Sequence, residues 1–116
     1  MTSQADGVAA VLLAAADLIE PEGRWVQVSF ASDRHGLEVG VKSPYAVCFC
    51  ALGAIQRVAQ DTVDEGPAYA ALKRVVRGPI SNWNDADGRT QAEVVAALRA
   101  AAASLSPEPD ETGASK

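Results

Sequence analysis

Apolar residues recur at three- and four-residue steps in four separate segments of the chain, and each stripe marks a helix face that has to be buried. The first stripe is Val8, Val11, Leu12, Ala15, Leu18 and Ile19; Asp6 reads as its N-cap, and Pro21 with Gly23 ends it. The second is Cys48, Ala51, Leu52, Ile55, Val58 and Ala59, entered at Ser43-Pro44. The third is Tyr69, Leu72, Val75 and Val76; Lys73, Arg74 and Arg77 sit in its last turns, where cations complement the helix dipole, and Gly78-Pro79 closes it. The fourth follows Thr90-Gln91-Ala92-Glu93, which fits a capping box, and runs Val94, Val95, Leu98, Ala101 or Ala102, and Leu105.

Between the first two stripes the period changes from helical to alternating. Val26, Val28 and Phe30 fall on one side of an extended run, as do Leu37, Val39 and Val41, with the turn formers Ser32-Asp33-Arg34-His35-Gly36 between them. The pattern predicts a β-hairpin pairing Trp25–Phe30 with Leu37–Val41. An isolated hairpin is marginal in water, so its apolar face must lie on the helices or pair with another chain. The expected fold is therefore mainly α: a small four-helix domain over residues 1–105 with a β-hairpin between the first and second helices. Residues 106–116, with two prolines and three acids, read as a disordered acidic tail that cannot bury enough apolar surface to offset its ordering entropy.

At 116 residues the chain has room for one core. Alanine supplies much of its 48% apolar content, so that core should consist of closely packed small side chains around a few large anchors. The expected anchors are Trp25, Phe30, Tyr45, Phe49, Tyr69 and Trp83. Fifteen acids against ten Lys and Arg give a net charge of −5, which disfavours non-specific attraction to nucleic acid or to an anionic membrane. No apolar stretch approaches the ~20 residues that span a bilayer, and Met1–Gly7 lacks the basic cluster of a signal peptide, so a cytoplasmic location is expected. Cys48 and Cys50, one residue apart, are poorly placed for a structural disulfide.

Few residues carry chemistry. Cys-x-Cys with one distant His35 does not match a zinc pattern, and a nucleophilic Cys50 would need a base that nothing in the sequence brings near; Cys50 reads instead as a small buried residue. Asp85-Ala86-Asp87-Gly88 has the centre of a calcium loop, but aligning on the glycine puts Trp83 and Val94 at the end ligand positions, where neither can coordinate calcium. Neither a metal nor a cofactor is expected. Lys73, Arg74 and Arg77 lack aromatic interleaving and read as a solvated helix end. Trp83-Asn84-Asp85 is the most specific-looking string. It reads either as a ligand-facing corner or, preferably, as a large anchor followed by side chains that bond nearby backbone in an Asx-type turn. On the second view Trp83 is largely buried between the last two helices and Asn84 or Asp85 bonds backbone near Thr90. Trp83→Ala then costs roughly 3–5 kcal/mol and Asn84→Ala roughly 1–3 kcal/mol.

Trp25-x-Gln27, Asp33 with Gly36, Ala46, Cys50-Ala51-Leu52-Gly53-Ala54-Ile55, Ile80-x-x-Trp83-Asn84-Asp85, and Thr90 ahead of Val94 together carry a resemblance. From Val8 to Ala102 the chain resembles a family of small bacterial and bacteriophage proteins of unknown function whose signature is the Trp-Asn-Asp tripeptide. Asp87 stands where many relatives have proline. The resemblance implies one folded domain and no activity, and it directs attention to Cys50, Trp83, Asn84 and Asp85 as candidate binding residues. The expected function is that of a small non-enzymatic binding or accessory protein acting through a protein partner or as a homodimer, the exposed edges of the hairpin being available to another strand. The alternative is a small enzyme using Cys50 or Asp85.

Overall fold

The computed structural model describes residues 4–105, and the tail expected over residues 106–116 lies outside the described residues. The chain is mainly helical, with a two-stranded antiparallel hairpin between its first and second helices. In order the elements are α1 (Gln4–Ile19), β1 (Ala31–Ser32), β2 (Cys48–Phe49), α2 (Ala51–Ala59), α3 (Glu65–Val76), α4 (Ile80–Asn84) and α5 (Gln91–Ser104). Five helices are thus present among the described residues where the stripes predicted four. The additional one, α4, is a single turn too short to show a period, and it contains the Trp83-Asn84 pair expected in a loop.

Leu12, Ala15, Ala16 and Ile19 of α1, Ile55 of α2, Leu72 of α3, and Val94, Leu98 and Ala101 of α5 are all fully buried in one core. Its many alanines let the helix backbones approach closely, which fixes the helices relative to one another more tightly than long flexible side chains would. The α1–α5 pair forms the largest contact, and it is antiparallel. Gln91, at the start of α5, donates its side-chain amide to the carbonyls of Ile19 (2.5 Å) and Pro21 (2.7 Å), and so satisfies carbonyls at and just beyond the C-terminal end of α1. The predicted capping box is formed: Thr90 accepts from Glu93 N–H and Glu93 reaches back to Thr90 N–H. Asp6 falls within the first turn of α1, since the helix is already under way at Gln4.

The hairpin is built from other residues than the alternation suggested. Ala31 lies opposite Phe49, and Ser32 opposite Cys48. Arg24–Val26 runs along the free side of β2, with Phe49 donating to Arg24 O at 2.9 Å and Val26 donating to Phe49 O at 3.2 Å. Leu37–Val39 runs along the free side of β1, with Asp33 donating to Leu37 O at 2.9 Å and Val39 donating to Ala31 O at 3.1 Å. The two runs expected to pair with each other therefore occupy opposite edges, and the two short strands lie between them. Arg24–Val26 and Leu37–Val39 are extended, but the chain bends over Gln27–Phe30, with Val28 at φ +78°, so the alternation there does not mark a strand. The partners of the extended parts are set by tertiary closure, which local pattern does not record.

Gly53, in the first turn of α2, lets this arrangement close on the helices. Cys50 N–H donates to Phe30 O at 3.2 Å, and a Cβ placed on Gly53 would lie 1.9 Å from that same oxygen. No side chain fits there. Gly53→Ala must push the backbone at Phe30 away from α2, and it is expected to destabilise the protein by at least about 3 kcal/mol in urea denaturation. Gly66→Ala, where the added methyl meets open space, serves as the control and should leave stability within about 1 kcal/mol of wild type.

Candidate functional site

Asn84 closes α4 and is 1% exposed, one of two buried polar residues among those described. Its Oδ1 accepts from Trp25 Nε1 at 2.8 Å and from the backbone N–H of Ala51 at 3.0 Å. Its Nδ2 donates to Val26 O at 3.2 Å and to Asp85 Oδ1 at 2.9 Å. All four hydrogen-bonding capacities of the amide are used, and no other side chain of this size offers two donors and two acceptors in this arrangement. The Ala51 N–H is one of the orphan donors of the first turn of α2, so Asn84 caps a helix 33 residues before it in the sequence. Cys50 Sγ takes a second such donor, accepting from Gly53 N–H at 3.3 Å.

The neighbours of Asn84 extend the junction. Gln27 Nε2 donates to Asn84 O at 3.1 Å and to Ala86 O at 3.0 Å. Asp85 Oδ1 accepts from the backbone N–H of Val28 at 2.8 Å. Trp25, Gln27, Asn84 and Asp85 thus tie the segment after α1 to the end of α4. The expectation that Asn84 or Asp85 would bond backbone near Thr90 is not met: their partners are Val26, Val28 and Ala51, 33 to 58 residues away. A local Asx turn was the only partner visible without knowing that the Trp25 segment returns here.

Trp83, on α4 between α3 and α5 in the chain, is partly buried against the core. It packs on the core with one side while the Arg89 guanidinium covers its ring at 4.2 Å, and Arg89 Nε donates to Trp83 O at 2.8 Å. The other expected anchors also divide. Phe49 is fully buried, Trp25 and Tyr69 are half-buried, and Phe30 and Tyr45 are exposed.

Val28 was not legible as special. It has φ +78°, in the left-handed region that a β-branched residue rarely enters, and its side chain is 87% exposed. Asp85 holds it there through the Val28 N–H. Phe30, Leu37 and Tyr45 are exposed on the same stretch of chain, so four of the six exposed large apolar residues among those described lie between positions 28 and 45. The stretch is fastened internally: Asp33 Oδ1 accepts from His35 and Leu37 N–H, and Arg57 Nη1 donates to Val41 O at 2.7 Å and Ser43 O at 2.8 Å.

The catalytic alternatives find little in this geometry. Cys50 is 5% exposed; burial pushes its thiol up despite the N–H groups of Gly53 and Leu52, and the Asp85 carboxylate adds to the rise. His35 lies in the turn, with Arg34 as its side-chain partner. Asp85 Oδ1 is occupied by Val28 and Asn84. Among the described residues no group of three or more His, Cys, Asp or Glu is placed to hold a metal ion, and no helix is long and apolar enough to cross a membrane.

Fold and junction together define a small helical domain that carries a rigidly fastened loop with an apolar surface. Over residues 3–104 the chain matches the model of a family of unknown function (DUF6197), and it belongs to that family. Neither a curated protein nor a solved structure matches it.

Two outcomes test the junction. Asn84→Ala strands a buried indole N–H, a helix N–H and a carbonyl, and should cost about 3 kcal/mol or more in chemical denaturation, exceeding the cost of Trp83→Ala. A larger loss for Trp83→Ala would show that the half-buried ring, not the amide, holds the elements together. In thiol labelling of the native protein, half-buried Cys48 should react readily, whereas Cys50 should react only as fast as the protein unfolds.

Proposed function

We propose that the protein is a non-enzymatic binding or accessory protein that works through a protein partner, or through a second copy of itself, using the apolar loop from Val28 to Tyr45. Val28 carries this reading. Val28 strains the backbone by about 1–3 kcal/mol, and although its N–H is held by Asp85, its exposed side chain packs on nothing in the core. Its use lies outside the chain. In this view Trp83, Asn84, Asp85 and Cys50 are supports: Asn84 and Asp85 set the backbone at Val28, Cys50 positions the start of α2 against Phe30, and Trp83 packs α4 in place. That role also supports treating the Trp-Asn-Asp tripeptide as the mark of the family.

The net charge of −5 favours a partner that is neither nucleic acid nor an anionic membrane. A cytoplasmic setting suits the two thiols, one of which donates to Gly23 O from Cys48 at 3.0 Å and so requires the reduced form.

Val28→Gly separates folding from binding. Glycine accepts the left-handed backbone, so the variant should be at least as stable as wild type, by up to about 1 kcal/mol. It should nevertheless lose the self-association seen by sedimentation, or the partner recovered by affinity capture, that wild type shows. Leu37→Ser and Tyr45→Ser, both at exposed positions, should behave likewise. A wild-type protein that sediments as a strict monomer and recovers no partner would refute the proposal.

A further inference from the structure

The partner's chemistry can be read from the outer edge of the small sheet. At the Ser32–Glu38 bridge, the bonds between the two runs are made by Asp33 N–H with Leu37 O and by Val39 N–H with Ala31 O. In antiparallel geometry this turns the N–H and C=O of Glu38 itself away from β1. Neither group has a partner among the described residues, and Glu38 is exposed. The opposite edge of the sheet differs: there Asn84 Nδ2 takes Val26 O and Asp85 Oδ1 takes Val28 N–H. One edge is sealed by side chains and the other is left open.

Beside the open edge lies a cavity of about 380 Å³, lined by Phe30, Glu38, Val39, Gly40, Val41 and Gln56. A free backbone donor–acceptor pair next to a cavity of mixed lining, with Phe30, Val39 and Val41 on one part and Glu38 and Gln56 on another, is an arrangement that accepts an added strand, in which main-chain bonds hold the peptide and alternate side chains select it. Charge decides which strand. Pairing with a second copy about a two-fold axis through Glu38 would set two Glu38 carboxylates opposite each other, which is destabilising, and both copies carry a net charge of −5. A foreign segment with Lys or Arg opposite Glu38 meets a complementary charge.

We propose that the Glu38 edge binds, as an added strand, an extended segment of another protein with a basic residue opposite Glu38 and apolar residues at the flanking alternate positions, which cover Leu37 and enter the cavity beside Val39 and Val41. Strand addition here presupposes the display function proposed above and goes further by naming the partner's chemistry and the atoms that hold it.

Panning a displayed library of random linear peptides against the full chain tests it. Enriched peptides should carry Lys or Arg between apolar residues at alternate positions, and binding should slow hydrogen exchange at the Glu38 amide. Glu38→Pro, which removes the outward N–H together with the carboxylate and leaves the Val39–Ala31 bond, should weaken binding about tenfold or more. Glu38→Ala keeps the N–H and should weaken it only about two- to threefold, while Glu38→Lys should shift the selection toward acidic residues. If Glu38→Pro fails to fold, exchange at the wild-type Glu38 amide decides alone. No enrichment, or Glu38 protection that arises from self-association without peptide, overturns the proposal. Peptides that lose binding with Leu37→Ser but leave the Glu38 amide exchanging freely would also overturn strand addition, while leaving the display function standing.

Discussion

One side-chain amide holds three parts of this protein together. Asn84, itself buried, binds the Trp25 indole, the first turn of α2 and the Val26 carbonyl at once. Low local polarity makes each of these bonds stronger than its counterpart in water, and it makes each of them expensive to break singly. The close-packed alanine faces bring the helices around it together, and the amide adds a directional demand that apolar contact lacks. The amide admits one arrangement, because its two donors and two acceptors must all be met together. Specificity of arrangement is thus concentrated in a polar group, while the bulk of the stabilisation comes from the apolar core described around Leu12, Leu72 and Leu98.

What was legible in the sequence follows from range. The α1, α3 and α5 stripes read correctly because helical bonds join residues four apart, so period and caps reside in the same short window; Thr90 with Glu93 is the clearest instance. The second stripe started too early: Cys48 stands at helical spacing from Ala51 but pairs with Ser32 in β2, and α2 is entered at Cys50 rather than at Ser43-Pro44. The extended character of Trp25–Val26 and Leu37–Val39 was also visible, though Gln27–Phe30 bends instead. Their partners were not, since pairing across Ala31–Phe49 and Trp25–Phe49 depends on the return of a distant segment, and alternation does not carry that information. The helix α4 was missed because one turn cannot display a stripe.

The candidate site was half legible. Trp83-Asn84-Asp85 stood out as a string, yet the weight was assigned to the indole on grounds of size, whereas the structure puts the buried position at the amide and leaves Trp83 partly open under Arg89. Phe30 and Tyr45 were counted as core anchors because large aromatics usually are, and both are exposed. Nothing in the residues around Val28 signals a left-handed backbone; valine is among the last residues to suggest one. Aromatic and β-branched residues that look like core by type and are exposed in place are where sequence reasoning and structure part, and such departures gather at functional surfaces.

The separation along the chain of the groups that Asn84 joins bears on how the protein folds. Trp25 is 59 residues from Asn84, and Ala51 is 33. Contacts of that span cost loop-closure entropy before they return anything, so they belong to the late part of folding, after the local turns of α1 and α5 have formed. The Val28 backbone is held by Asp85, next in sequence to Asn84, and so takes its strained form only once that closure is complete. A newly made chain that has collapsed but not closed has its helices without its loop in place. The shape of the Val28 loop therefore arrives with that closure and is among the first features lost when the α4 junction opens, which couples the loop to the integrity of the whole domain rather than to any single element.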